Sequence, residues 1–190
     1  MFAQILTLLV DVVAGFLVFL LLARFHFQWL RVPFRNPLGE FVIATTNWIV
    51  RPARRVIPAL AGLDLASGLV AWLVQALALW TLYSLRGWEP GSALGSAIAA
   101  LSALALVDLL RYSLYILIFA VLVQVVLSWV NPHSPVAYIF DAVTRPFLRP
   151  IRRLVPPIAN FDLSPLVLLV LLQVLLIPVW HLRTAVEGML

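Results

Sequence analysis

The chain has no cysteine, and none of its 13 basic side chains is lysine: every one is arginine. Without thiols, disulfides, thiolate metal sites and cysteine nucleophiles are excluded. Charge of either sign is scarce, with 11% of residues charged against 64% hydrophobic, far from the balance of a soluble domain. A mean hydropathy of +1.06 agrees. No separate basic domain stands outside the apolar runs. The pI near 10.7 therefore points to membrane orientation and anionic headgroups, with no direct role for nucleic acid.

Reactive groupings are lacking too. His26, His133 and His181 fall in three separate regions, which argues against a metal or haem site. No Ser/His/Asp grouping or paired carboxylates occur, and the glycines at Gly91 and Gly95 lack the strand context of a nucleotide loop. These absences predict a non-enzymatic protein without cofactor or metal.

What is present is apolar sequence. A spanning helix needs about 20 mostly apolar residues, and four segments qualify, at about 5–27, 65–85, 107–130 and 163–182. Trp29, Trp80, Trp129 and Trp180 lie at segment ends, where amphipathic rings favour the headgroup layer. The N-terminal run has no basic leader and no small-residue cleavage pattern, so it reads as a retained span. The fold class is all-α: a polytopic helical membrane protein with four transmembrane helices. Residues 92–106 are apolar but rich in Ser and Ala. Joined to the third span they would make a helix of about 58 Å, too long for one crossing. They are read as an interfacial or re-entrant lead-in, with a fifth span as the competing topology.

Arginines set the orientation. The connection at 24–62 carries Arg24, Arg31, Arg35, Arg51, Arg54 and Arg55 against Glu40, and that at 131–161 carries Arg145, Arg149, Arg152 and Arg153 against Asp141. Both are expected in the cytoplasm, with the termini outside. A fifth span would put one of them outside, which argues against it.

The sequence is also duplicated. At an offset of 98, Thr46, Arg51, Pro52, Arg54, Arg55, Pro58, Asp64 and Leu65 recur as Thr144, Arg149, Pro150, Arg152, Arg153, Pro156, Asp162 and Leu163. Upstream, residues 28–30 match 128–130, and Asn36-Pro37 matches Asn131-Pro132. The halves are 1–88 and 89–190, each a span, a basic connection and a span. Two spans per half make the repeat parallel, with both basic connections on one face. In each connection a short amphipathic helix is expected, capped by Asn36 or Ser134 with Pro37 or Pro135 at its first position. Pro52 and Pro146 are expected to end these helices.

These strings resemble the YggT family of bacterial membrane proteins, related to the YlmG/CCB3 proteins of cyanobacteria and plastids. The resemblance covers essentially the whole chain and rests on SWVNPHSPVAYIFDAVTRPFLRPIRRLVPPIANFDLSP and NPLGEFVIATTNWIVRPARRVIPALAGLD. The first copy departs at Trp48, where the second has Pro146, and at Ala66-Ser67, where it has Ser164-Pro165. The resemblance implies a multi-pass protein of the bacterial cytoplasmic (inner) membrane. Relatives are linked to osmotic stress and potassium handling, to division or nucleoid organisation, and to haem attachment in plastids. The common denominator is an assembly or organising role.

Arg51, Arg54, Arg55, Arg149, Arg152 and Arg153 are the candidate binding residues. Prolines 52, 58, 150 and 156 would hold them on stiff stretches, and their planar forks suit phosphate of anionic phospholipid or an acidic partner. Membrane, division or assembly proteins are candidate partners, and a homo-oligomer is compatible. Asp64 and Asp162 are expected to be structural, as helix caps or ion-pair partners of the arginines. Asp11, Asp108, Gln75 and Gln173 are the polar groups inside spans. Asp108 has Arg111 one turn away, and the two glutamines match at the same offset and are expected to pack across the helices. Ion transport or a channel-accessory role is the alternative function these four residues support.

Overall fold

The computed structural model describes residues 1–57, 64–89, 94–131, 134–155 and 162–190. Pro58, Pro156 and His133 lie outside them. The described residues form helices α1 (Phe2–Trp29), α2 (Pro37–Val56), α3 (Leu65–Leu85), α4 (Leu94–Val130), α5 (Pro135–Leu154) and α6 (Ser164–Glu187). Of these, α1, α3, α4 and α6 are long and apolar enough to cross a membrane. Their outer surfaces carry exposed Leu8, Val12, Phe16, Leu77, Phe119 and Leu171, as lipid-facing helices do.

Between apolar helices in lipid, close packing takes over from the hydrophobic effect, and small residues let backbones approach. Ala66, Ala71 and Ala78 on α3, and Ala97, Ala100 and Ala105 on α4, are buried accordingly. The strongest pairings are α1 with α3 and α4 with α6, and α3 against α4 joins them. Helices α2 and α5 pack on these pairs, α2 on α1 and α3, α5 on α4 and α6. Helix α2 buries Val42, Thr46 and Val50, and α5 buries Ile139, Val143, Thr144, Leu148 and Ile151. The opposite faces are exposed, including Phe41 and Trp48 on α2.

Two expectations about boundaries change. From Leu94 onward the Ser/Ala-rich stretch is no separate segment: α4 is one helix of 37 residues, about 56 Å long. Nothing between Gly95 and Val130 breaks it, and alanine and leucine favour helix throughout. Its first turns pack Leu101, Leu104 and Ala105 against Leu79 and Val186, and Trp72 Nε1 donates to the Ser102 carbonyl at 3.0 Å.

Nor do Pro52 and Pro146 end their helices; α2 runs to Val56 and α5 to Leu154. A proline leaves the carbonyl four residues back without its helical partner. Both prolines lie on exposed sides, where solvent or headgroups reach that carbonyl, while buried Val50 and Leu148 hold the inner faces. The arginines therefore sit on the last two helical turns and not on a stiff loop.

The caps are as expected. Asn36 Oδ1 accepts from Gly39 N at 2.8 Å, and Ser134 Oγ accepts from Ala137 N at 3.0 Å. Gly39 has a further role, since a Cβ there would lie 2.5 Å from the Phe34 carbonyl oxygen. Backbone cannot yield as a flexible side chain can. Gly39→Ala is expected to destabilise by about 1–3 kcal/mol, read as a lower unfolding midpoint in detergent. Gly15→Ala, where a Cβ meets nothing within 4 Å, is the control.

Candidate functional site

Each long helix pair closes around an arginine–aspartate pair at its junction with α2 or α5. In the first half Asp64 is the N-cap of α3, accepting from Ser67 N at 3.4 Å and Ser67 Oγ at 2.5 Å. Arg54, in the last turn of α2, reaches back to it with Nη2 at 2.5 Å from Oδ2. Arg24 comes from α1 and is buried; its Nη1 donates to Thr46 Oγ1 at 2.8 Å and Asn47 Oδ1 at 3.1 Å, and its Nε lies 3.5 Å from Asp64 Oδ2. Burial alone would raise the Asp64 carboxyl. Hydrogen bonds from Arg54 and Ser67, with the Arg54 charge, outweigh it and hold Asp64 below the usual carboxylate range.

In the second half a comparable pair is more exposed. Arg152 Nε lies 2.8 Å from Asp162 Oδ2, and Ser164 N donates to Asp162 Oδ1 at 2.9 Å. Asp162 thus caps α6 from one residue before Leu163, the N-cap position. Burial pushes this carboxyl up as well, and Ser164 and Arg152 bring it below the usual range. On α4, Gln124 accepts from Thr144 Oγ1, and Arg145 pairs with Asp141 one turn away on α5.

The predicted binding arginines therefore separate. Arg54 and Arg152 are committed to Asp64 and Asp162. Arg51, Arg55, Arg149 and Arg153 are exposed and form no ion pair among the described residues. Every acidic residue of the chain is among those described. In each helix the two free guanidinium groups are four residues apart, one above the other on the outer face. Like charges stacked one turn apart repel, so each pair favours a bridging anion.

A third polar cluster lies deeper. Gln75 is 11 residues beyond Asp64, about 16 Å along α3. Its Nε2 donates to Asp108 Oδ2 at 2.9 Å, while Arg183 Nε and Arg111 Nη2 stand 3.0 and 3.2 Å from Asp108 Oδ1. Arg183 also pairs with Glu187 at 2.6 Å, and Glu187 accepts from Tyr83 Oη at 2.6 Å. Arg111 is the expected partner of Asp108; Arg183 is one that sequence reading missed, for it is 75 residues away. Asp11 is exposed on α1 but lines the same small cavity as Gln75, Asp108 and Arg183. The glutamines do not meet: Gln75 is buried on Asp108, and Gln173 is exposed on the outer face of α6. His26 Nδ1 lies 2.7 Å from the Leu22 carbonyl, and His181 packs on Trp180. No group of three His, Cys, Asp or Glu able to hold a metal occurs among the described residues.

Four apolar spanning-length helices, with two further helices packed on them, have the architecture of a multi-pass membrane protein. The chain belongs to the CCB3/YggT family, whose sequence profile matches residues 3–85 and 103–183. It is 33% identical over 186 residues to a protein of Escherichia coli K12 called "Uncharacterized protein YggT", covering 97% of this chain and 94% of that one. An uncharacterized protein of Pseudomonas aeruginosa is 31% identical over 172 residues, 90% of this chain and 85% of its own. A Vibrio alginolyticus protein encoded in the proC 3′ region is 32% identical over 169 residues, 88% of this chain and 89% of its own. No solved structure matches the chain.

Proposed function

We propose that this protein is a non-enzymatic scaffold or assembly factor of the bacterial cytoplasmic membrane, built as two parallel repeats with amphipathic α2 and α5 on the cytoplasmic side. There Arg51, Arg55, Arg149 and Arg153 engage anionic phospholipid or an acidic segment of a membrane, division or assembly protein. One observation carries the reading: these four cations are exposed in stacked pairs and lack any internal acid, whereas the intervening Arg54 and Arg152 are used within the fold. Topology alone would be served by arginines at any spacing.

Juxtamembrane arginines contribute on the order of 1 kcal/mol each at an anionic surface. Converting all four to glutamine is thus expected to weaken phosphatidylglycerol binding by at least about tenfold, measured by native mass spectrometry of delipidated protein, with the unfolding midpoint unchanged. Unchanged affinity would remove the lipid role, and inverted insertion of the variant would reduce the arginines to topology signals.

A second reading, ion transport or a channel-accessory role in osmotic stress, is favoured by the small polar cavity that Asp11 shares with Asp108. Against it, two arginines already compensate Asp108. A potassium flux in proteoliposomes that Asp11→Asn abolishes would establish it, and no flux under a potassium gradient would exclude it.

A further inference from the structure

The two halves differ in one filling. Residues 28–30 align with 128–130 at an offset of 100, and the same offset pairs Arg24 with Gln124. Their contacts agree, since Arg24 donates to Thr46 and Gln124 accepts from Thr144, the equivalent threonine of the next helix. Arg24 also extends to Asp64, whose side chain is only 1% exposed. Gln124 is shorter and uncharged, and its Nε2 is turned to Asp141 at 3.4 Å. Asp162 is left 38% exposed.

It faces a cavity of about 520 Å³ between α4 and α6. The polar end holds Asp162, Arg152, Gln124 and Ser128; Leu166 and Leu169 form the apolar wall beside Trp129. Trp129 and Leu166 are 75% and 60% exposed, so the cavity opens sideways toward the surface a bilayer would cover. In the first half the protein's own guanidinium occupies the corresponding place.

We propose that this cavity is a binding site for a phospholipid with a primary-amine, zwitterionic headgroup of the phosphoethanolamine type. The inference rests on the reading of α4 and α6 as spans and of the halves as parallel repeats. The ammonium takes the place beside Asp162 that Arg24 takes beside Asp64. Only Nε of Arg152 is used on Asp162, so its two terminal nitrogens are left to hold the phosphate. Because Asp162 and Arg152 form a neutral pair, a simple anion or a simple cation would break up one partner's compensation, whereas a zwitterion complements both. An acyl chain follows Leu166 and Leu169, and Trp129 sits at headgroup depth. A choline headgroup carries no N–H to donate and so fails at Asp162.

Native mass spectrometry of the full-length, delipidated protein tests this with phosphatidylethanolamine, phosphatidylcholine and phosphatidylglycerol of identical chains. Phosphatidylethanolamine is expected to bind at least about tenfold tighter than phosphatidylcholine. Gln124→Arg, which installs the arrangement of the first half, should abolish that preference and leave the lipid-free unfolding midpoint equal or higher. Asp162→Asn should also abolish it, which keeps the test decisive if Gln124→Arg does not fold. Equal binding of the two zwitterionic lipids, or a preference that survives Asp162→Asn, overturns the proposal. Glutamine at the four exposed arginines should lower phosphatidylglycerol binding and spare the ethanolamine preference, so failure of the arginine reading is seen separately.

Discussion

Asp64→Ala is expected to cost about 3–5 kcal/mol of stability, because it leaves Arg24 charged and buried with no carboxylate. The matching change, Asp162→Ala, separates a pair whose side chains are 43% and 38% exposed and is expected to cost at most about 1 kcal/mol. Unfolding midpoints in one detergent check both. Equal shifts would mean that Arg24 does not depend on Asp64. pH gives a second reading of the same contact. The folded-state pKa of Asp64 is lowered, so its contribution is full above the ordinary carboxylate value and is lost as pH falls through the folded value. The stability gap between the native chain and Asp64→Asn should therefore be constant near neutrality and begin to shrink once the pH falls below about 4.

The second large effect is expected at Asp108. Asp108→Ala removes the shared acceptor of Arg183, Arg111 and Gln75, three groups contributed by three different helices. A loss of about 3–5 kcal/mol follows from stranding the arginines. Replacing both Asp108 and Arg183 by leucine should recover part of it, since the apolar pair removes Arg183's charge from the interior while Arg111 stays without its carboxylate. A double variant as unstable as the sum of the two single ones would show that the ion pair is not the link between α4 and α6. Asp108→Asn separates structure from transport: it keeps the hydrogen-bonding shape and should lower stability less than alanine.

The four long apolar helices, both helix caps and the Asp108–Arg111 pair were legible in the sequence because each is local or periodic. Runs of apolar residues give the spans, and Asn-Pro or Ser-Pro marks a helix start through chemistry confined to four residues. What escaped depended on packing. Arg24 reads as one more positive charge beside a span, and only the meeting of α1, α2 and α3 shows it buried on Asp64. Arg183 meets Asp108 through the pairing of α4 and α6, which no spacing along the chain encodes. The proline rule misplaced two helix ends because it says nothing about which side the orphaned carbonyl faces. Gly39 gave no signal, since its constraint comes from the carbonyl of Phe34 in the preceding turn.

Under the proposed function, the separation of six arginines into two paired with aspartates and four without an acidic partner has a consequence. Arg54 and Arg152 tether α2 and α5 to the starts of α3 and α6, so the unpaired guanidinium groups are presented on anchored helices. An anchored pair loses less side-chain and segmental freedom on binding than one on a mobile loop, which favours capture of a phosphate-bearing headgroup.

The proposed function requires both free arginine pairs on the cytoplasmic face, and sidedness tests that most directly. The chain has no cysteine of its own, so Arg55→Cys, Arg153→Cys and Glu89→Cys can each be labelled singly with a membrane-impermeant maleimide in intact cells. Protection of residues 55 and 153 until the cells are permeabilised, with residue 89 labelled from outside, is the predicted result. Labelling of either arginine position from outside in intact cells would contradict it.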